Sequence, residues 1–541
     1  MTDVKALLRD RKRAQRGSVL SGVLIMVAML AIISGALMTE LSTHFLISRT
    51  LVNRVGNEAT VNSAMELALD QLQNKALGTG CPIPGPVTLN SRTATISFTS
   101  CFPTVDAHSP SQYTSIASAA TFNIDGFHGI VNGQNLYLVG DSSGTVYQYQ
   151  FGQSTPMWSL AMQSTITGPP LTMADVGASP PDLTDISNLV PIAGGGSSGC
   201  SANACVKLLQ QDTNRPAPDY FCYMGANGSV TSRPAAGVAF PSLVYFGDST
   251  GTLWAYQATE AGHCTLQTSA STGAAAIVAG PIVFGNGAQD EIYMVTASNQ
   301  LLHYTYDPSD STALSQSDNP LALPYINPVG AAVDQSSVPT HIAITYAGGA
   351  VSIVNIAADY DPTRGANVLV GPGFAAAPAW CSCPSGKLGL VAVNGTFYLY
   401  GANLNFITST AVGQQVRTSP APDGAGEWFF GAYDGYLYEL QESPSGSTVA
   451  QVARFGSGAV GQVQGSAHVG TCPAGLCVYM GSTTNAYLVP LDAWHATLAA
   501  CLSNAPPACS GDNPRLSAQV EVGVAGNNQT VHVQGWSYTS P

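Results

Sequence analysis

A run of 22 residues without a charged side chain, from Ser18 to Thr39, limits most strongly what this chain can fold into. At a helical rise of 1.5 Å per residue such a run spans about 33 Å, which is enough to cross the hydrocarbon core of a bilayer. Residues 1–17 carry six basic side chains against Asp3 and Asp10, and basic residues before an apolar span stay on the cytoplasmic side. The sequence therefore predicts a membrane helix that holds an exported chain by its amino end.

The helical pattern continues beyond the apolar run. Apolar residues recur at helical spacing with polar residues between them, at Leu41, Phe45, Val52, Val55, Ala59, Leu69 and Leu72. Gly78 and Pro82 are the first strong breakers, so the pattern predicts one helix over residues 18–77, roughly 90 Å long. A plain signal anchor is the alternative interpretation, although such an anchor has no need of the amphipathic second half.

The residues before the apolar run are Arg16, Gly17 and Ser18. A basic stretch, Arg-Gly and then a long apolar helix resembles the amino ends of type IV pilins and type II secretion pseudopilins, above all minor pilins of the PilX type. The resemblance implies that residues 1–17 are a leader cleaved between Gly17 and Ser18. It also implies an inner-membrane anchor, later assembly into a pilus at the cell surface, and other pilins as partners of the helix. Major pilins carry Glu at the fifth mature position, which is Gly22 here; the resemblance therefore implies a minor or tip subunit.

The body of the chain repeats a strand, a Gly-containing turn and a second strand. The clearest copies are LYLVGDSSGTVYQYQ (136–150), LVYFGDSTGTLWAYQ (243–257) and EWFFGAYDGYLYELQ (427–441). Turn centres fall near 141, 195, 248, 298, 348, 394, 433 and 481. A period of this size with several strands per unit is typical of propeller blades, so residues 119–491 are predicted to form a seven- to eight-bladed β-propeller. The repeat resembles the PQQ-like repeat of quinoprotein propellers.

The flanking segments, 78–118 and 492–541, predict a small sheet. Residues 87–101 have the pattern of a strand, 491–502 that of a short helix, and 515–540 that of a β-hairpin. One interpretation is a pilin-like head, built from both segments against the first helix, with the propeller inserted in it. The other is that the tail strands close the propeller ring. Either way the fold class is mainly β with one long amino-terminal helix.

Twelve cysteines follow the apolar run and none precedes it. They form local couples: Cys81/Cys101, Cys200/Cys205, Cys222/Cys264, Cys381/Cys383, Cys472/Cys477 and Cys501/Cys509. Disulfides in an oxidising compartment are the better interpretation, because the CxxC pairs and nearby histidines of a zinc site are missing from the sequence. Cys381 and Cys383 are the weakest couple, since a bridge across one residue is strained.

The sequence offers little for catalysis. Only 9% of residues are charged, and neither the vicinal Cys-Cys pair of quinoprotein dehydrogenases nor a G-x-S-x-G elbow occurs. Asp359 with Asp361 and Asp307 with Asp310 are short carboxylate pairs that do not continue into a calcium loop. We therefore predict a protein that is not an enzyme, with no cofactor and no named metal ligand.

Nucleic acid is a poor partner for this composition, because the net charge is −14 and the basic residues of the repeat region are scattered singly. Those residues are Arg215, Arg233, Arg364, Lys387, Arg417 and Arg454. An extracellular protein or glycan bound by the propeller is the predicted ligand, which makes adhesion or recognition the predicted function. The alternatives are a membrane-tethered quinoprotein-like enzyme and a DNA receptor of a competence pilus.

Overall fold

The computed structural model describes residues 3–74, 87–89, 92–104, 114–115, 122–131, 134–141, 143–150, 155–162, 164–168, 170–174, 186–193, 200, 204–211, 220–259, 263–273, 275–309, 313–317, 319–334, 339–381, 386–424, 426–443, 446–456, 461–472, 475–483, 486–491, 493–502, 515–525 and 528–539.

A single helix, α1 (Asp3–Asn74), forms the amino-terminal part of the protein. Its 72 residues span about 108 Å, and it begins before the predicted start at residue 18 because the basic segment is helical too. The face buried in the protein is Val61, Ala64, Met65 and Ala68, which recur at helical spacing. Of the predicted amphipathic stripe, Ala59 is exposed and Leu69 half-buried, because the sheet contacts the neighbouring positions.

Both ends of the chain build one five-stranded antiparallel sheet, which we call the head. In sheet order its strands are β1 (Val87–Leu89), β2 (Arg92–Thr104), β36 (Ala493–Leu502), β37 (Arg515–Ala525) and β38 (Asn528–Thr539). All five contact α1. The pairing of β2 with β36 runs from Ala94 opposite Leu502 to Thr104 opposite Ala493. The propeller is therefore inserted between two neighbouring strands of the head.

The segment 491–502 was predicted to contain a short helix, and this prediction was wrong. Its Ala- and Leu-rich sequence favours a helix by propensity, but it lies as β36 between β2 and β37. Leu498, Ala499 and Ala500 are consecutive and all fully buried, so both faces of the strand are covered. Burial on both faces suits a central strand, and this tertiary environment overrides the local preference.

Within the described residues the inserted part forms eight sheets, or blades, each with its strands in antiparallel order. Blade 8 takes its outermost strand, β3 (Thr114–Ser115), from the amino-terminal side of the propeller. Blade 1 contains β4 (Phe122–Val131), β5 (Gln134–Asp141), β6 (Thr145–Gln150) and β7 (Trp158–Ala161), and blade 2 contains β8 (Leu171–Ala174), β9 (Ile186–Ala193), β10 (Ala204–Gln211) and β11 (Tyr220–Ala226). Blade 3 contains β12 (Ala235–Ala236), β13 (Leu243–Gly247), β14 (Thr252–Ala258) and β15 (Cys264–Ser271). Blade 4 contains β16 (Ile277–Gly285), β17 (Asp290–Thr296), β18 (Gln300–Tyr306), β19 (Leu314–Gln316) and β20 (Leu321–Ala322).

Blades 5 to 8 follow the same plan. Blade 5 contains β21 (Pro328–Val333), β22 (His341–Tyr346), β23 (Ala350–Ile356) and β24 (Pro362–Leu369), and blade 6 contains β25 (Ala379–Trp380), β26 (Leu388–Val391), β27 (Thr396–Tyr400) and β28 (Phe406–Ala411). Blade 7 contains β29 (Ala421–Pro422), β30 (Glu427–Gly431), β31 (Tyr436–Glu442) and β32 (Val449–Gly456). Blade 8 contains β33 (His468–Cys472), β34 (Gly475–Gly481) and β35 (Ala486–Leu491), besides β3.

The ring closes where blade 8 meets blade 1, because β33 and β34 contact β4. β3 completes blade 8 by pairing with β35, Thr114 opposite Leu488 and Ser115 opposite Tyr487. The ring therefore has eight blades, and the alternative in which the tail strands close it is wrong. The core lies between the blades: Trp428 of blade 7, for example, is fully buried against Phe397 of blade 6.

The second and third strands of each blade are joined by the turns whose spacing predicted the repeat. Six of these turns end on a residue with positive φ, five of them glycines, namely Gly144, Gly251, Asn299, Gly349, Gly395 and Gly435. Gly395 has a φ of 78°, and a Cβ there would overlap the carbonyl oxygen of Gln414 in the next connection. Glycine is thus needed both for the left-handed backbone and for the close approach.

Candidate functional site

One helix in the described part of the chain is long and apolar enough to cross a bilayer. It is the stretch Val23–Arg49 of α1, with a mean hydropathy of 2.2 and none of its most apolar window buried inside the protein. Leu41, Phe45, Val52 and Val55 are also exposed, each by more than half. Gly17, Ser18 and Gly22 lie on α1 immediately before this stretch.

The two faces of the propeller differ in their distance from the head. In every blade, the turn between the second and third strands lies at the same face as the connection to the next blade. β35, the third strand of blade 8, runs from that face to the opposite one and ends at Leu491, one residue before β36 begins at Ala493. β3 pairs antiparallel with β35, so it too enters from the opposite face. Both links to the head therefore leave from one face.

We call the face that carries these links the proximal face and the other the distal face. The described part of the distal face comprises the turns 143–144, 248–251, 297–299, 347–349, 392–395, 432–435 and 482–483, with the connections 164–168, 227–234, 275–276, 323–327, 370–378, 412–420 and 461–467. Since the head packs on α1, the distal face lies at the end of the propeller away from the head and α1.

Hydrogen bonds hold the distal loops in place. The buried carboxylate of Asp248 accepts bonds from the backbone N–H groups of Asn227 and Gly228 in the preceding connection, at 3.1 Å each. It also accepts bonds from Thr250, Thr252 and the Trp254 indole. Burial alone would raise the pKa of Asp248, but these hydrogen bonds lower it below its usual range, so the group stays charged.

The distal face carries few charges. Among its described side chains the exposed charged ones are Arg233 and Arg417. Asp434 is half-buried and accepts hydrogen bonds from the Tyr438 hydroxyl at 2.5 Å and the Tyr436 N–H at 3.2 Å. The carboxylates of this face are therefore occupied by the protein itself.

The proximal face carries carboxylates at blades 4 and 5, namely Asp307, Asp334, Asp359 and Asp361. Asp307 accepts bonds from Ser309 and Gln289, which is how turns use Asp. Asp334 accepts bonds from Thr340 and lies 3.1 Å from the His341 Nδ1. Among the described residues there is no group of three His, Cys, Asp or Glu that could hold a metal ion. Asp310 lies outside the described residues.

Two buried pairs of ionisable groups occupy equivalent positions in blades 4 and 7. In blade 4, Glu291 lies 2.8 Å from the His303 Nε2. In blade 7, Glu427 and Glu439 are both fully buried. Burial, followed by the charges of Glu439 and Asp423, raises the pKa of Glu427 well above its usual range. Because these groups are sealed within the blades, we interpret them as parts of the core.

A third buried charge joins two blades. The Lys387 ammonium of blade 6 donates a hydrogen bond to one carboxylate oxygen of Glu442 in blade 7. The other carboxylate oxygen of Glu442 accepts a bond of 2.9 Å from the Trp428 indole. Both charged side chains are almost completely covered. Sequence reasoning identified Lys387 as one of the scattered basic residues, but nothing in the local pattern indicates its partner, 55 residues away.

The structure contains the disulfides Cys200–Cys205 and Cys222–Cys264, as their sequence grouping predicted. The first spans the turn of blade 2, and the second joins the outermost strands of blades 2 and 3. Cys381, Cys477 and Cys501 are also disulfide-bonded. Cys383 and Cys509, the predicted partners of Cys381 and Cys501, lie outside the described residues, and so does the side chain of Cys472, the predicted partner of Cys477. Cys81 and the side chain of Cys101 also lie outside them, so these four pairings stay predictions.

The comparisons with known proteins concern the fold. No protein-family model matches the chain, and neither does any curated protein. The C-terminal WD40 domain of Sif2 is similar over 70% of this chain and 98% of its own, with a TM-score of 0.50 and 8% identity. Saccharomyces cerevisiae Sqt1 (TM-score 0.48, 12% identity, 70% and 98% covered) and BamB from Moraxella catarrhalis (0.46, 11%, 71% and 99%) are less similar. The Sif2 likeness shows a propeller fold and nothing about function.

Proposed function

We propose that this protein is a minor, tip-type pilin of the PilX-like kind, which displays its propeller at the cell surface for adhesion or recognition. The observation that carries the proposal is the division of α1 into two parts. The stretch Val23–Arg49 is apolar and exposed, whereas one face of the later part, with Val61, Ala64, Met65 and Ala68, is buried where α1 contacts the head. A helix built this way can lie in a membrane at one end and hold a folded head at the other.

Two features support the pilin-like reading over a plain signal anchor. Arg16-Gly17-Ser18 stands directly before the apolar stretch, where a prepilin leader would be cleaved. The head is a small antiparallel sheet packed on the same helix, and the propeller interrupts it between β2 and β36. Insertion by two adjacent links makes the propeller an appendage of the head, which is suited to display.

We propose a binding role without catalysis. The pairs Glu291–His303, Glu427–Glu439 and Lys387–Glu442 are buried, and the distal face offers exposed arginine and amide groups on fixed loops, which suits recognition of a ligand. A quinoprotein-like enzyme would instead reduce a dye after reconstitution with PQQ and calcium. A DNA receptor would bind DNA with a steep dependence on salt.

The test is the location of the protein in its host cell, with the Gly17→Val variant. We expect the unaltered protein in the sheared filament fraction and labelled on intact cells by a membrane-impermeant reagent. Gly17→Val should remain in the inner membrane, because the leader is not removed. Gly35→Ala is the matched control: it lies on the same helix with open space around it, and it should behave like the unaltered protein. Equal filament levels of all three would contradict the proposal.

A further inference from the structure

The distal face at blades 6 to 8 combines one exposed guanidinium with several exposed amides. Arg417 and the glutamines 414 and 415 lie on the connection between blades 6 and 7, and Gln462 lies on the next connection. The Arg417 guanidinium is 5.5 Å from the ring centre of Tyr433, on the neighbouring turn. We call these residues, Gln414, Gln415, Arg417, Tyr433 and Gln462, the Arg–Gln patch.

The donors of Arg417 are available to a ligand. Its guanidinium stacks on Tyr433, and within the described residues it donates no hydrogen bond to a protein acceptor. Other described basic side chains of the propeller have partners within the protein. Lys207 lies over the Tyr223 ring, and Arg454, on the outermost strand of blade 7, lies over the Tyr436 ring. Arg364 bonds the Ala322 carbonyl at 2.9 Å and Lys387 pairs with Glu442. Arg233, on the opposite side of the ring, also has a partner within the protein.

The backbone of the patch is fixed before any ligand arrives. The Tyr433 N–H donates to the Gln415 carbonyl at 2.9 Å, which ties the turn of blade 7 to the connection before it. The Ser419 N–H donates to the Ser466 hydroxyl at 3.0 Å and so joins the two connections. The Gln462 backbone N–H donates to the Thr483 hydroxyl at 3.1 Å, and the Gln462 side-chain oxygen accepts a bond of 3.2 Å from the Gln464 amide, which leaves the Gln462 amide N–H groups for a ligand. A rigid arrangement of donors loses little entropy on binding.

The chemistry of the patch selects the ligand class. A planar guanidinium held on an aromatic ring presents its edge to a carboxylate in bidentate fashion, and primary amides bond hydroxyl groups as donor and acceptor. Asp434, the neighbour of Tyr433 on this turn, is half-buried, and its carboxylate already accepts bonds from the Tyr438 hydroxyl and the Tyr436 N–H. A peptide ligand usually needs an apolar side chain on the protein to bind against. The large exposed apolar residues of this face, Ile326 and Leu369, lie at blades 4 and 5, away from the patch. A single cation is too few for a nucleic-acid backbone.

We infer that the Arg–Gln patch binds carboxylate-bearing saccharides, with Arg417 pairing the carboxylate and the glutamine amides bonding the hydroxyls. This inference rests on the proposed recognition function and names its ligand class. It depends only on the folded propeller and not on cleavage at Gly17 or assembly into a filament.

The test uses the full-length protein in detergent micelles with a calcium chelator, and four immobilised probes. These are alginate (a polymer of uronic acids), uncharged dextran, poly-L-glutamate and single-stranded DNA. We expect binding to alginate, at least about tenfold weaker in Arg417→Gln because one charged hydrogen-bonded pair is lost. Arg233→Gln is the matched control, with another exposed arginine of the same face removed, and should bind within about twofold of the unaltered protein. Unchanged melting temperatures verify folding of both variants.

Three results would overturn the inference. These are no binding to alginate, equal binding by Arg417→Gln, or binding of poly-L-glutamate or DNA as tight as that of alginate. A failure here leaves the cell-surface result with Gly17→Val untouched, and a failure of that experiment leaves the binding result untouched.

Discussion

Removing the disulfide between blades 2 and 3 should destabilise the propeller more than removing the disulfide within blade 2. The bond Cys222–Cys264 joins β11 to β15 and closes a loop of 42 residues, whereas Cys200–Cys205 closes one of 5. Cys222 lies in the hydrophobic cluster between the two blades, and Cys264 packs against it.

The loop lengths set the magnitude. In the chain-entropy description, a crosslink removes from the unfolded chain a freedom that grows with the logarithm of the loop. The 42-residue loop corresponds to about 4 kcal/mol at 25 °C and the 5-residue loop to about 2 kcal/mol. Since domains are stable by roughly 5–15 kcal/mol, the first loss is a large share of the total.

The assay is equilibrium unfolding in urea of Cys222→Ala/Cys264→Ala and of Cys200→Ala/Cys205→Ala, both as the full chain in detergent. Trp254 lies in the same cluster as Cys222 and reports by fluorescence on this part of the ring. We expect the first double variant to lose about 2 kcal/mol more than the second. Equal losses, or a greater loss in the second, would refute the argument from loop closure.

Three further predictions concern the glycine turns and the buried charges. Gly413→Ala, where φ is 73° and space is open, should lower the free energy of unfolding by about 1–2 kcal/mol. Gly395→Ala should lower it by at least about 1 kcal/mol more in thermal unfolding, because its Cβ would also overlap the Gln414 carbonyl oxygen; equal losses would contradict that overlap. Lys387→Met should lose about 3–5 kcal/mol because it strands the Glu442 carboxylate, and adding Glu442→Gln should restore most of this; a double variant no better than the single one would argue against the pair. Because the pKa of Glu427 is raised in the folded state above the unfolded value near 4.5, stability should fall as pH rises above that value. The fall should be less steep in Glu427→Gln, and identical slopes in urea unfolding across pH would contradict the raised pKa.

The propeller was largely predictable because its signal is local and repeated. Each turn needs a residue that tolerates positive φ, so glycine recurs at Gly251, Gly349 and Gly395 whatever the neighbouring blade contains. Even the blade with an enlarged turn, near residue 195, has its paired strands β9 and β10 where the spacing predicted them. The aromatic residues Trp254 and Tyr438 are buried between blades, as their position in the repeat strands indicated.

The head was less predictable because its pairing is remote. The register that places Thr104 opposite Ala493 joins residues almost 400 positions apart, and composition cannot specify it. The same limit applies to β36, which is a strand only because β2 and β37 flank it. For the Arg–Gln patch, the sequence showed Arg417 as one isolated cation; its contact with Tyr433 depends on how two loops of the ring meet.

Determining the mature amino terminus distinguishes a pilin-like protein from a plain signal anchor most directly. Intact-mass and amino-terminal peptide spectrometry of the protein from its host would locate it to the residue. We predict a mature chain that begins at Ser18, so that the basic segment 1–17 is removed and the apolar stretch of α1 forms the amino terminus. A chain that retains Met1 would contradict the pilin-like account and leave a plain signal anchor carrying the same propeller.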